Sequence, residues 1–499
     1  MNPDSDSPGA ARTPRIIPRA EHSISRRNIS PNALRVLYRL REGGYQAFLV
    51  GGCLRDLLLG VEPKDFDVAT SARPEQVKRL FRNCRLIGRR FRLAHVFFGH
   101  EIIEVATFRA ASAPSQGEET EDDPDILPEV GASEDNPEAE AESDQERERD
   151  AEAAERDEGP VDRVLDEGGR ILRDNSYGSI EEDVWRRDFT CNALYYDIGD
   201  FSLWDFVGAV DDINARRLRL IGDAAQRYRE DPVRMLRAAR FEAKLGFSLD
   251  ADTESGITQL AEALREVPAA RLFDETLKLF LTGHGVKSLE VLRRRGLLGV
   301  LYPGVEKFLS RHPGSLVEKL LVAGLENTDE RVQAGKSVTP TFLFTLLLYG
   351  PIAAYIEKQP QEKWADVGTI LDGCDHALRE ALQRVMIPKR FSLGVRDMFA
   401  LQPQLEHPRS RRVLRLIEQP RFRAGYDLLL LRARVDMAPR EVAEWWTALQ
   451  AASPQQRQEM AQQLEAARGR ASRGEGGDAE AGGNQPRRRR RRRRPSSPE

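Results

Sequence analysis

The sequence predicts an α+β protein, in which a small mixed sheet with helices is followed by all-α domains. Three observations predict it. Between residues 30 and 208, short apolar runs of strand length alternate with helical segments. From about residue 223 the apolar positions recur with the helical period instead. Inside the first regime, residues 110–168 form a Glu/Ala/Pro/Asp-rich stretch that cannot bury a core.

Residues 1–29 are polar and proline-rich and read as a disordered tail. Ser30-Pro31 then opens a helix, with Ser as N-cap and Pro at the first position. Leu34, Leu37 and Tyr38 supply its apolar face, and Gly43-Gly44 stop it. Residues 45–50 read as a buried strand, followed by a glycine turn and a short helix at 55–59. Residues 65–69 are the next strand and 74–82 the next helix. Residues 93–98 and 102–108 form a hairpin turned at Gly99-His100, and 189–196 is the last strand. Later segments such as 272–280, 342–349 and 426–432 keep the helical period. The expected divisions are 1–29 as tail, 30–208 as the mixed domain with 110–168 inserted, 209–282 and 283–466 as helical domains, and 467–499 as a second tail.

At 499 residues the chain has material for two to four domains. Of the formal charge of −4, residues 118–158 carry −17, from 20 acidic residues against Arg147, Arg149 and Arg156. The remainder therefore carries +13, and eight consecutive arginines stand at 487–494. A basic body of this kind suits a polyanionic partner. Cys53, Cys84, Cys191 and Cys374 show no CxxC or metal-ligand spacing, which implies reduced thiols in a reducing compartment. No apolar signal segment is present, and the longest apolar run, 342–356, is too short to span a bilayer. The chain is expected to be cytoplasmic, with no membrane insertion.

The chemistry is carried by three constellations. In Lys64-Asp65-Phe66-Asp67-Val68, alternate residues of an extended segment share a face, so Asp65 and Asp67 project together. Two adjacent carboxylates repel unless a divalent cation sits between them, and Mg²⁺ favours such a set with positions left for phosphates. About a dozen residues earlier, Gly51 and Gly52 form a turn whose N–H groups can approach phosphate oxygens, with Arg55 one turn on. Second, Arg186-Arg187-Asp188-Phe189-Thr190-Cys191-Asn192 brings a third carboxylate next to a strand, completing a two-metal site, with Arg187 available to a ribose or phosphate. Glu104 competes with Asp188 for that third position, and a surface ion-pair cluster is the alternative for the arginines. Third, Asp231 and Arg234 in Glu230-Asp231-Pro232-Val233-Arg234 share a helix face, either as a base-reading acceptor and donor or as an i,i+3 ion pair. Gly335-Lys336-Ser337 is discarded as a P-loop because Glu330 stands where its first glycine is required.

In that order and combination, these motifs resemble the class II template-independent RNA nucleotidyltransferases, which include bacterial poly(A) polymerases and CCA-adding enzymes. The resemblance runs from about 30 to 280, omitting the insertion. Residues 84–96, Ile387-Pro388-Lys389-Arg390 and the basic C-terminus resemble segments that mark the bacterial poly(A) polymerases. The resemblance implies a nucleotidyltransferase head followed by helical neck, body and tail. It implies Asp65, Asp67 and Asp188 as catalytic ligands of two Mg²⁺ ions. Gly51, Gly52 and Arg55 would face the triphosphate of ATP, Arg187 and Asp188 its ribose, and Asp231 and Arg234 its adenine. Arg89, Arg90 and Arg92, with Arg85, would form a cationic loop gripping triphosphate or RNA backbone. His95 reads as a structural histidine. The implied activity is addition of AMP to RNA 3′ ends by a monomer, linked to RNA decay machinery, with CCA addition or RNA binding without catalysis as rival readings. The chain departs from the family pattern in its acidic insertion and in Cys53, where small residues are usual.

Overall fold

A computed structural model describes residues 13–88, 92–110, 163–165, 171–174 and 177–474. Its N-terminal part is built on one eight-stranded mixed sheet, in the order β1-β10-β9-β2-β3-β6-β5-β4. The strands are β1 (Arg15–Ile17), β2 (Ala47–Val50), β3 (Asp67–Thr70), β4 (Cys84–Ile87), β5 (Leu93–Phe98), β6 (Glu101–Thr107), β9 (Leu194–Asp197) and β10 (Leu203–Asp205). Only the β3–β6 pair is parallel, and the other neighbours run antiparallel. A separate two-stranded pair, β7 (Arg163–Leu165) and β8 (Ile171–Asp174), ends the inserted region.

Helix α1 (Pro31–Glu42) starts as its sequence dictates: the Ser30 hydroxyl accepts from the N–H groups of Asn32 and Ala33, and Pro31 takes the first position. It buries Ala33, Val36, Leu37 and Leu40. Tyr38, expected on the apolar face, is exposed and instead accepts from Arg26 Nη1 at 3.1 Å. Beneath the sheet, Phe48, Val50, Ala69, Phe108, Ile180, Val184, Tyr195 and Phe206 form a buried cluster. That core holds β2, β3 and β9 rigidly, and these strands carry the candidate site.

Four expectations need correction. The segment 13–29 is not a disordered tail: β1 pairs with β10, and Ile17, Ile24 and Ile29 are buried. Arg85 does not sit in a loop but on β4, paired with β5, with its guanidinium 5.6 Å from the Phe97 ring. Strand β3 starts at Asp67, so Asp65 precedes it. The run 189–196 is a 3-10 turn, Thr190–Asn192, followed by β9, because Phe189 bridges Leu220 rather than extending the sheet. Residues 118–158, Arg89, Arg90 and Arg487–Arg494 lie outside the described residues.

Beyond the sheet the chain is helical. The helices nearest the site are α2 (Gly52–Leu58), α3 (Pro74–Leu80), α4 (Ile180–Arg186), α5 (Ala209–Asn214), α6 (Ala224–Glu230), α7 (Val233–Leu245), α8 (Ala251–Leu260) and α9 (Ala269–Phe280). The apolar run around Gly350-Pro351 lies within one helix, Pro340–Ile356, where Gly350 leaves room for the Phe308 ring. Among the described residues, no helix is long and apolar enough to cross a membrane. The chain divides once into compact units, Met1–Phe399 and Ala400–Glu499, so the expected boundaries at 208 and 282 fall inside the first. The second unit has its own core around Trp446, whose Nε1 donates to the Leu405 carbonyl at 2.8 Å.

Removing residues 1–24 would strip β1 from β10 and delete the buried Ile17 and Ile24. The expected loss is about 3–6 kcal/mol from those two side chains, read as a lower denaturant midpoint for the first unit. An unchanged midpoint would return the segment to a dispensable tail.

Candidate active site

The turn after β2 sets the geometry. Val50 stands opposite Asp67 in the β2–β3 ladder, so the chain leaving β2 turns directly beside the carboxylate. Gly51 adopts φ 82° and ψ −150°, a conformation open essentially only to glycine. A Cβ at Gly51 would stand 3.5 Å from Asp67 Oδ2. Phe66 and Val68 are buried while Asp65 is exposed and Asp67 half-buried, so the two carboxylates share a face although only one lies in the strand. Across β6, Glu104 is in register with Asp67, and its Oε2 lies 3.3 Å from His95 Nε2.

Arg55 is folded beneath this turn. Its guanidinium is buried, donates from Nη1 to Asn192 Oδ1 at 2.6 Å and from Nε to Asp56 Oδ1 at 2.9 Å, and lies 6.0 Å from the Phe241 ring. Its Nη2 stands 3.2 Å from the position a Gly52 Cβ would occupy, a tight contact that Gly52 avoids. Arg55 thus ties the glycine turn to the Arg186–Asn192 segment. Cys53 donates from Sγ to the Val50 carbonyl at 3.0 Å, and burial followed by the charge of Asp67 pushes its thiol up out of the reactive range. Burial likewise pushes Cys191 up to about 11.

Asp188 is the centre of a second cluster. Its Oδ1 accepts from Arg234 Nε at 2.9 Å and its Oδ2 from Arg237 Nε at 2.5 Å. Burial alone would raise this carboxyl, but Arg237 and Arg234 together hold it down to about 2. Its carbonyl accepts from Ile221 N at 2.9 Å, and Arg227 Nη2 donates to the carbonyls of Arg186 and Arg187, each at 3.0 Å. Two residues on, Thr190 donates to the fully buried Asp212, which also accepts from Arg217 and Arg219.

Among the described residues, no group of three His, Cys, Asp or Glu side chains is placed to hold a metal, and both oxygens of Asp188 accept from arginines of α7. Arg187 is also turned inward. It donates from Nε to Tyr195 Oη at 2.9 Å and from Nη2 to Asp183 Oδ2 at 3.3 Å, while Tyr195 donates to the same Asp183 oxygen at 2.6 Å.

Asp231 and Arg234 meet through the backbone, where the Arg234 N–H donates to the Asp231 carbonyl at 3.2 Å, and their side chains turn to other partners. Arg234 reaches Asp188 and the Arg227 carbonyl, while Asp231 receives a bidentate grip from Arg271 of α9, at 3.2 and 3.0 Å. Arg92 bonds Glu75 Oε1 at 3.2 Å. Sequence reasoning missed Arg237, Arg271, Asp183 and Tyr195. Arg237 alone left a signal, continuing the i,i+3 arginine spacing after Arg234.

Two outcomes follow from this geometry. Gly51→Ala should cost about 1–3 kcal/mol in backbone strain and lower nucleotide affinity, read by chemical denaturation and equilibrium titration. Asp188 titrates lower when folded than unfolded, so its ionised form contributes stability above about pH 4 that disappears as pH falls toward 2. The stability gap between wild type and Asp188→Asn, about 2 kcal/mol near neutrality from this titration alone, should close over that acid window in urea melts. A gap independent of pH would contradict the ion pairing.

Comparison with known proteins places this geometry. Residues 47–219 match the model of the poly A polymerase head domain, 246–309 that of a probable RNA and SrmB-binding site of polymerase A, and 364–495 that of the polymerase A arginine-rich C-terminus. The chain is 42% identical to poly(A) polymerase I of Salmonella typhi over 453 residues, covering 90% of this chain and 89% of that one. It is 30% identical to the CCA-adding enzyme of Lactobacillus helveticus over 259 residues, only 52% of each. A solved structure described as a tRNA-processing enzyme in its apo form shares the fold, at 22% identity and a TM-score of 0.53, covering 88% of this chain and 98% of that one. With a nucleotidyltransferase head of mixed sheet and a helical remainder, the chain belongs to the poly(A) polymerase family.

Proposed function

We propose that the protein is a polynucleotide adenylyltransferase that adds AMP from ATP, without a template, to RNA 3′ ends and releases pyrophosphate. The observation that carries this reading is the extent of the relationship: likeness to a poly(A) polymerase spans nine-tenths of the chain, and likeness to a CCA-adding enzyme about half. The basic body and the match to an RNA-binding segment support an RNA partner.

Asp65 and Asp67 fit a hard divalent cation, being two oxygen-donor carboxylates on one face beside a turn that leaves room for phosphates. When bound there, Mg²⁺, two ions in this reading, would acidify the primer 3′-hydroxyl and offset charge on the departing pyrophosphate. The backbone N–H groups of the Gly51-Gly52 turn would orient the triphosphate, and Arg55 would hold that turn in place from beneath. In the transfer, the primer oxygen bonds the α-phosphorus as the α–β bridging P–O bond breaks. Asp188, kept ionised by its arginines, would present the ribose-facing edge of the site, and Arg187 would act through the Asp183–Tyr195 cluster rather than by direct contact. Asp231 and Arg234 would read the base, and Arg89, Arg90 and Arg92 would add phosphate contacts. The domain reading of head, neck, body and Arg-rich tail belongs to this proposal, as do a cytoplasmic monomer and tails that expose RNA to decay enzymes.

Incubation of the purified protein with RNA, Mg²⁺ and each nucleoside triphosphate separately tests the activity. Long extension from ATP alone on unrelated RNAs is expected. Addition that stops after CCA on truncated tRNA would replace the reading, and no extension would leave an RNA-binding protein. Asp65→Ala and Asp67→Ala should each abolish extension, by about 10³-fold or more, while a gel-shift assay shows RNA affinity within about threefold. Retained extension in either variant would overturn the metal assignment.

A further inference from the structure

The sheet face that carries Asp67 continues past it and opens to solvent toward the β4 edge. Asp67, Glu104, His95 and Arg85 stand in one register across β3, β6, β5 and β4, so their side chains share that face. Two residues along, Phe97 stands opposite Ile102 in the same layer. Arg85 and Ile102 are exposed and Phe97 is half-buried. On the reverse face Cys84, Ala94, Val96, Ile103 and Val105 are buried, where α1 and α3 pack. The apolar side chains of the open face therefore lie outside the core. Phe97 is also firmly placed: its N–H donates to the Asn83 carbonyl at 2.9 Å, and its own carbonyl accepts from Asn83 Nδ2. The Arg85 guanidinium lies 5.6 Å from the centre of its ring.

We propose that this open face, centred on Phe97 with Arg85 beside it, is a stacking platform for an unpaired base of the RNA primer, upstream of its reacting 3′ end. This rests on the adenylyltransferase reading of the carboxylate site. A template-independent enzyme must hold its primer without a complementary strand. Stacking on an aromatic ring suits that task, because every base has a π-face. Phe97 lies two strands and two residues from Asp67, about 12 Å by strand spacing and rise. That separation puts the ring beside the primer chain rather than at the reacting nucleotide. The Arg85 guanidinium supplies charge for a flanking phosphate, and the excess of basic residues outside 118–158 suits the same partner. Phe97 and Ile102 add an apolar surface that a patch meant for phosphates alone would not need.

The test measures equilibrium binding of short single-stranded oligoadenylates to the full-length protein, with one abasic nucleotide moved stepwise from the 3′ end. Salt is kept high enough to suppress purely electrostatic adhesion. Wild type is compared with Phe97→Leu, which keeps apolar volume without the ring, and with Phe97→Tyr, which keeps the ring. Melting temperature and ATP affinity are recorded alongside. In wild type and Phe97→Tyr, an abasic nucleotide at one upstream position should lower affinity about tenfold. Phe97→Leu should bind intact RNA about tenfold more weakly and show no abasic penalty at that position, with melting temperature and ATP affinity close to wild type. A penalty that is absent from wild type, or the same in Phe97→Leu, would overturn the proposal and leave the face to a protein partner. Extension assays on the same wild-type preparation report separately on the adenylyltransferase reading, because RNA binding is measurable whether or not the RNA is lengthened.

Discussion

The buried grip of Arg234 and Arg237 on Asp188 is the constraint on which the rest of the site depends. Asp188 belongs to the segment between α4 and β9, against the catalytic sheet, and both arginines belong to the first turns of α7. Burying three charges is costly, and such clusters seldom raise stability over an apolar alternative. What they supply is placement, since neither side can shift without stranding a charge away from water. The segment next to the sheet and the helix proposed to carry base selection are thereby held in one arrangement. Arg227, through the Arg186 and Arg187 carbonyls, and Ile221, through the Asp188 carbonyl, fasten the same seam with backbone contacts.

A second ring of contacts makes the glycine turn part of that seam. Arg55 joins the turn to Asn192, and its guanidinium faces the ring of Phe241, which in turn packs edge-on against Phe189 at 5.4 Å. Phe241 lies on α7 and Phe189 directly follows Asp188. The proposed phosphate-holding turn, through Arg55, and the ribose-facing Asp188 therefore both meet α7, which opens just after the base-reading Asp231.

Much of this was legible in the sequence wherever the signal was local. The glycine turn and the Ser30-Pro31 helix start each depend on neighbours within a few residues, and each reads correctly by type. Partners distant in sequence left no such signal: Arg237 meets Asp188 across 49 residues and Arg271 meets Asp231 across 40. The reading of Asp188 rested on its flanking arginines, whereas the arginines that grip it, Arg234 and Arg237, come beside it only when the chain folds. Strand β1 was hidden because three residues, two of them exposed, carry too little pattern to stand out from a polar tail. Strand β4 was masked by Arg85, an exposed charged residue in a run of only four, which reads as part of the arginine-rich segment that follows it.

The backbone at Gly51 has a consequence for chirality. Its angles of 82° and −150° are close to the mirror image of ordinary extended backbone near −82° and 150°, a comfortable region for L-residues. A D-amino acid is therefore at home in the conformation that an L-residue resists. Its side chain would leave Cα on the face opposite the one directed at Asp67 Oδ2. The absence of a side chain at this position thus reflects the handedness of natural amino acids more than a lack of space, and a semisynthetic protein with D-alanine at residue 51 would separate the two.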